Sequence, residues 1–146
     1  MKFYWIIGSF IAALLAALAY MAADNQHPYT YNVEKSYVKP NPAAAGRQIT
    51  VHWEFVTHRT CPGAIVRTIV DARTGAKVSY DPTPALGTVR MGDISMERTF
   101  FLPEEMLPGP KLYRSNAEYI CNPLHRIWPL KVQTPDIAFE VKEPRR

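Results

Sequence analysis

Apolar and polar residues follow two different patterns along this chain. From residue 3 to residue 23, FYWIIGSFIAALLAALAYMAA, no position carries a charge. Beyond it, apolar residues come in short alternating runs broken by proline and glycine. A helix rises about 1.5 Å per residue, so the uncharged run reaches roughly 30 Å, the hydrocarbon thickness of a bilayer. A helix packed in a soluble core keeps a polar stripe, and this run has none. It predicts a transmembrane or signal helix over residues 3–23.

The second pattern predicts strands. Ile49, Val51, Trp53 and Phe55 alternate with Thr50, His52 and Glu54 over residues 48–56, which puts Trp53 in the core and His52 at the surface. Residues 64–71, with Ile65, Val66, Ile69 and Val70, and residues 77–80 flank Arg73-Thr74-Gly75 and predict a hairpin. Residues 95–102 place Met96, Arg98, Phe100 and Leu102 on one face. Residues 111–121 bring Tyr113, Ser115, Ala117, Tyr119 and Cys121 into phase, and Ile137, Phe139 and Val141 close the series. Residues 29–33 and 37–38 have strand composition ahead of Pro40 and Pro42, as an edge strand would. Pro82, Pro84, Gly87 and Gly92 predict a long surface loop over residues 81–93. About seven short strands separated by turns predict a mainly β chain, an antiparallel β-sandwich preceded by one helix. The organisation expected is an anchor or signal over 1–23, a stalk and first edge strand over 24–46, and the sandwich over 47–146.

Composition agrees with that picture. All thirteen prolines follow residue 23, which rules out long helices there. The chain beyond the apolar run is long enough for one domain with a core and too short for two. Without Lys2, the seventeen basic residues exceed the thirteen acidic ones by about +3, too weak and scattered for a nucleic-acid partner. Arg145-Arg146 reads as a solvated tail.

Ser115-x-Ala117-x-Tyr119-x-Cys121 resembles the Tyr-x-Cys corner of immunoglobulin domains. Trp53 precedes the first cysteine, however, and Cys61 falls in a loop, so the resemblance implies an immunoglobulin-like architecture over residues 30–142 and not membership of that family. The layout as a whole resembles small membrane-anchored immunoglobulin-like β-sandwich proteins of bacteria and phages, of unknown function. That resemblance implies no activity.

Two fates are open to the apolar run. As a signal it has a basic start and Ala17-Leu18-Ala19, a small-x-small pattern that would release the domain after Ala19. As an anchor it exceeds the usual apolar length of a signal and carries Phe3, Tyr4, Trp5 and Tyr20 at its edges, where membrane interfaces favour aromatics. No cysteine follows it to accept a lipid. The anchor is the first expectation: a single pass through the inner membrane, contacting the bilayer through residues 3–23. Lys2 inside and Asp24 outside then put the domain in the periplasm.

Cys61 and Cys121 are the only cysteines. In an oxidising compartment they are expected to form a disulfide. The alternative is a metal site, because His58-x-x-Cys61 and Cys121-x-x-x-His125 supply the four ligands of a Cys2His2 zinc centre. Free thiols are the third possibility. Glu104-Glu105 reads as a solvated turn, and no nucleophile elbow, phosphate-cradling loop or His-Glu-x-x-His is present. No cofactor is expected. The loop after Cys121 stands out, with Asn122, His125, Arg126, Ile127 and Trp128 as candidate partner-binding residues. Within it Trp128 is expected to fold onto the core, leaving His125 and Arg126 exposed. The function expected is a non-enzymatic, membrane-tethered domain that binds a protein or envelope component. Its rivals are a secreted form of the same domain and an envelope enzyme using the His58/Cys61/Cys121/His125 cluster.

Overall fold

The alternation in the sequence becomes the two faces of a β-sandwich in the computed structural model, which describes residues 2–85 and 91–143, with side chains from Tyr4 onward. One helix, α1 (Lys2–Ala23), precedes the strands β1 (Tyr29–Lys39), β2 (Ala43–Ala44), β3 (Gln48–Thr57), β4 (Gly63–Asp71), β5 (Lys77–Pro84), β6 (Gly92–Phe101), β7 (Gly109–Tyr119), β8 (Leu130–Gln133) and β9 (Ile137–Lys142). One sheet has the order β1-β3-β6, and the other β2-β9-β7-β4-β5. β8 and β9 run end to end along the same side of β7, opposite residues 116–119 and 109–113 respectively. Every pairing is antiparallel except the two-residue contact of β2 with β9, which is parallel.

The inward residues are the ones the period of two selects. β3 contributes Ile49, Val51, Trp53 and Phe55; β7 contributes Tyr113, Ala117 and Tyr119; β9 contributes Ile137, Phe139 and Val141. Aromatic rings join the sheets: Trp53 meets Tyr113 edge-on with centroids 5.3 Å apart, and Tyr29 lies tilted 5.4 Å from Tyr119, while within its own sheet Tyr29 meets Phe55 edge-on at 5.3 Å. Edge-to-face pairs of this kind add about 1 kcal/mol each to the area they bury. The hairpin expected at residues 73–75 is present. Asp71 Oδ1 accepts from the Arg73 and Thr74 amides, both at 2.9 Å, and Gly75 takes the left-handed conformation with φ of 74°.

Three expectations need correction. The first edge strand expected within residues 24–46 is present as β1, but the stalk is not: Tyr29, Val38 and Ala43 are all buried in the core and only residues 24–28 separate α1 from β1. The loop expected from residue 81 starts later. β5 runs to Pro84, and as an edge strand it tolerates Pro82 and Pro84 where a central strand would lose ladder bonds. The middle of that loop and the basic tail lie outside the described residues. Arg98 keeps the inward phase but is exposed, since β6 is also an edge.

α1 stands apart from this core. Its segment Tyr4–Ala23 has a mean hydropathy of 2.2, and none of its residues is buried in the protein. By length and composition it can cross a membrane or serve as a signal sequence.

Candidate functional site

The last turn of α1 meets the sandwich at one place, and the loop after β7 builds it. Asn122, in extended conformation, caps a short 3-10 turn over Pro123–Arg126: its Oδ1 accepts from the amides of Leu124 at 3.0 Å and His125 at 3.1 Å. An asparagine followed by proline is a favourable start for such a turn, since proline has no amide to satisfy. The other end of the Asn122 amide reaches across the chain. Its Nδ2 donates to the Met21 carbonyl at 3.1 Å and to Asp24 Oδ2 at 3.2 Å.

His125 completes the contact from inside. It is 7% exposed. Its Nδ1 accepts from the Cys121 amide at 3.2 Å, so in this arrangement the ring proton sits on Nε2 and points at the Asp24 carbonyl, 3.2 Å away. Asp24 itself is gripped by Arg59, whose Nη1 donates to both carboxylate oxygens at 2.9 and 2.8 Å while Nη2 donates to the Gln26 carbonyl. The hydrogen bond from the Arg59 guanidinium holds the Asp24 carboxyl below its usual range, against the opposing effect of partial burial.

The disulfide fixes the base of this junction. Cys61 and Cys121 are bonded, with Cα atoms 4.8 Å apart. They tie the entrance of β4 to the exit of β7, neighbours in one sheet, next to the paired residues Gly63 and Tyr119. In immunoglobulin domains the corresponding bridge joins the two sheets. The strands approach so closely here that a Cβ on Gly63 would lie 2.2 Å from the Glu118 carbonyl oxygen. Glycine is therefore required. With both sulfurs in the bond, the four-ligand metal site has no thiolates. His58 turns instead to Thr30, 2.7 Å from its Oγ1, and no group of three or more metal-ligating side chains occurs among the described residues.

Arg126 is exposed as expected, but Trp128 and His125 are turned the opposite way from the expectation. Trp128 is 73% exposed and Ile127 75%, with Arg126 exposed beside them, whereas His125 is buried and Asn122 half-buried. Ile127 and Trp128 are held in place by amide bonds to the Leu124 carbonyl, both 3.0 Å. The reversal has a physical reason: the loop packs on the end of α1, and the junction's hydrogen bonds need Asn122 and His125 inside. That partner lies 101 residues earlier in the chain, where no local pattern reveals it. Asp24 and Arg59 were missed as junction residues for the same reason, being 35 residues apart. The arrangement presents an apolar and cationic patch, Arg126-Ile127-Trp128, next to the point where the apolar helix leaves the sandwich.

No family model matches this chain, and no curated protein does. Among solved structures, the sandwich is similar to the Pseudomonas fluorescens alkylpurine DNA glycosylase AlkC bound to DNA containing an abasic site analog, at a TM-score of 0.50 and 10% identity over 80% of this chain and 31% of that one. This chain thus spans about a third of that protein's length. The C-terminal domain of Wzt is similar at a TM-score of 0.49 and 13% identity, over 83% of this chain and 77% of that one. Spo0M, the sporulation control protein from Bacillus subtilis, is similar at 0.39 and 8% identity, over 82% and 51%. Likeness at these identities concerns the fold alone.

Proposed function

We propose that this chain is a membrane-tethered, extracytoplasmic β-sandwich that binds a protein or other component of the envelope and catalyses no reaction. In this reading α1 is a single-pass anchor in the inner membrane and the sandwich lies in the periplasm, where its disulfide is stable. The observation that carries the proposal is the Asp24 clamp. With Asp24 held by Arg59 and with Asn122 and His125 bonded to residues 21–24, the domain has no slack relative to its anchor. A partner must then come to the membrane surface, and the exposed Arg126-Ile127-Trp128 patch is the contact proposed there. Tryptophan and arginine are favoured anchors at interfaces. The resemblance to small anchored immunoglobulin-like proteins is compatible with this role.

A photo-crosslinking phenylalanine analogue in place of Trp128 tests it in intact cells. The expected result is a discrete adduct with an envelope protein, recovered from the membrane fraction. Adducts with lipid alone would mean that the loop rests on the bilayer, and no adduct would mean that it faces solvent; both overturn this contact. The secreted rival keeps the same clamp, because Met21 and Asp24 lie beyond Ala19. Intact mass distinguishes them: a mature chain beginning at Tyr20 in the soluble periplasm would replace the anchored reading.

A further inference from the structure

Between the sheets, away from the junction, a cationic group is buried without a counter-charge. Arg67 on β4 is 5% exposed, and no carboxylate pairs with it among the described residues. Its Nη1 donates to Thr83 Oγ1, its guanidinium carbon lies 5.8 Å from the centre of the Phe100 ring, and its Nε has no partner. The contrast with the other buried cation is instructive. Lys111 is as deeply buried and pairs directly with Asp71. A buried charge with the Thr83 and Tyr113 hydroxyls and an aromatic face for company is costly, because neutral groups do not replace the water it has lost.

The same side chain lines a cavity of about 40 Å³ whose walls include Tyr29, Tyr31, Trp53, Phe55 and Tyr119. One water fills about 10–15 Å³ in this measure, so the space admits about three or four waters or one small planar group. Thr83 occupies one nitrogen and leaves the Nε edge of the guanidinium. That edge meets a carboxylate with parallel N–H donors, a geometry that a point charge such as lysine does not offer. A single guanidinium in a mostly apolar wall of aromatic rings, Ile65 and Met96, with the Ser115 hydroxyl beside them, matches one negative charge with a small apolar body. A phosphate, larger and carrying more charge, would leave part of that charge unpaired in an apolar wall.

We infer that this cavity is a binding site for a carboxylate, either a short-chain monocarboxylate or the carboxyl end of a longer apolar molecule, held on the Nε edge of Arg67. It stands independently of the membrane reading. The test uses the full chain in non-ionic detergent micelles and follows the Arg67 Nε–H signal by nitrogen-correlated NMR. The signal is assigned by its loss in Arg67→Lys, with the Trp53 indole N–H as a second reporter inside the cavity. Acetate at constant ionic strength should move both signals saturably, with half-saturation on the order of 1–10 mM. Acetamide, the neutral isostere, should move neither. Butyrate binding about tenfold tighter would point to a ligand with an apolar chain, and equal affinity to recognition of the carboxylate end alone. Signals that stay unmoved by acetate up to about 100 mM, or that move equally with acetamide or chloride, would overturn the site and leave a water-filled cavity. The main readout is made on the unaltered protein, so it does not depend on a variant folding.

Discussion

Two tryptophans in this chain have opposite positions, and that contrast is the sharpest residue-scale test. Trp53 is 6% exposed and packs on Tyr113, so Trp53→Ala should cost about 3–5 kcal/mol of stability, as truncating a core aromatic does. Trp128 is largely exposed and rests on nothing in the sandwich core, so Trp128→Ala should change stability by less than about 0.5 kcal/mol. Denaturant unfolding of the two variants, side by side in the same detergent, checks both numbers. A large loss for Trp128→Ala would mean that its loop is folded onto the core after all. The sequence could specify Trp53 because its neighbours alternate around it, and alternation is a local property of a strand. It could not specify Trp128. Prolines at 123 and 129 show that the loop is rigid, yet they do not say against what. The answer depends on Asn122 finding Met21 and Asp24, a contact between distant parts of the chain.

At the scale of elements, strands were legible and their limits were not. β3 and β7 lie where the period of two puts them, and β4 where its apolar pairs Ile65-Val66 and Ile69-Val70 put it, although Arg67 and Thr68 between those pairs are buried. The edges β1, β5 and β6 blur. They carry exposed residues on an inward phase, such as Arg98, and prolines inside a strand, such as Pro82, because an edge has no second ladder to satisfy. The disulfide was legible as a pair, but not as a link between neighbours in one sheet. That link predicts two outcomes. Replacing Cys61 and Cys121 together by alanine frees a 60-residue loop in the unfolded chain and should lower stability by about 4 kcal/mol in the chain-entropy picture. Equilibrium unfolding of the double variant against the oxidised protein measures it. Gly63→Ala should be destabilising by about 1–3 kcal/mol even though alanine is small, since its Cβ would press on a backbone carbonyl that the neighbouring ladder holds in place. A Gly63→Ala protein as stable as the parent would show that β4 and β7 can separate there.

For the whole molecule, what matters is how ion pairs join parts that the sequence separates. Asp24 with Arg59 fastens the helix end to the sandwich, Asp71 with Lys111 closes the β4–β5 turn onto β7, and Asp136 with Arg114, at 2.6 Å, pins the break between β8 and β9. In each case the hydrogen bond from the basic partner holds the carboxyl below its usual range. The sign follows from linkage. The unfolded chain takes up protons near the ordinary carboxylate value of about 3.9, while the folded chain takes them up only at lower pH. Below about pH 4 the unfolded state therefore binds more protons, and stability falls as the pH drops toward the folded values. Above about pH 5 these three groups are ionised in both states and stability should not depend on them. The denaturant midpoint is thus expected to be level from neutral pH to about 5 and to fall below 4. Asp24→Asn separates the junction from the rest, because it removes one carboxylate and leaves the sandwich's own pairs in place. In that variant the fall should be shallower, and a protease should cut between residues 23 and 28 at neutral pH as readily as it cuts the parent chain in acid. If the parent's midpoint stays level down to about pH 3, or if Asp24→Asn leaves residues 24–27 as protected as before, then the clamp does not hold the helix to the domain.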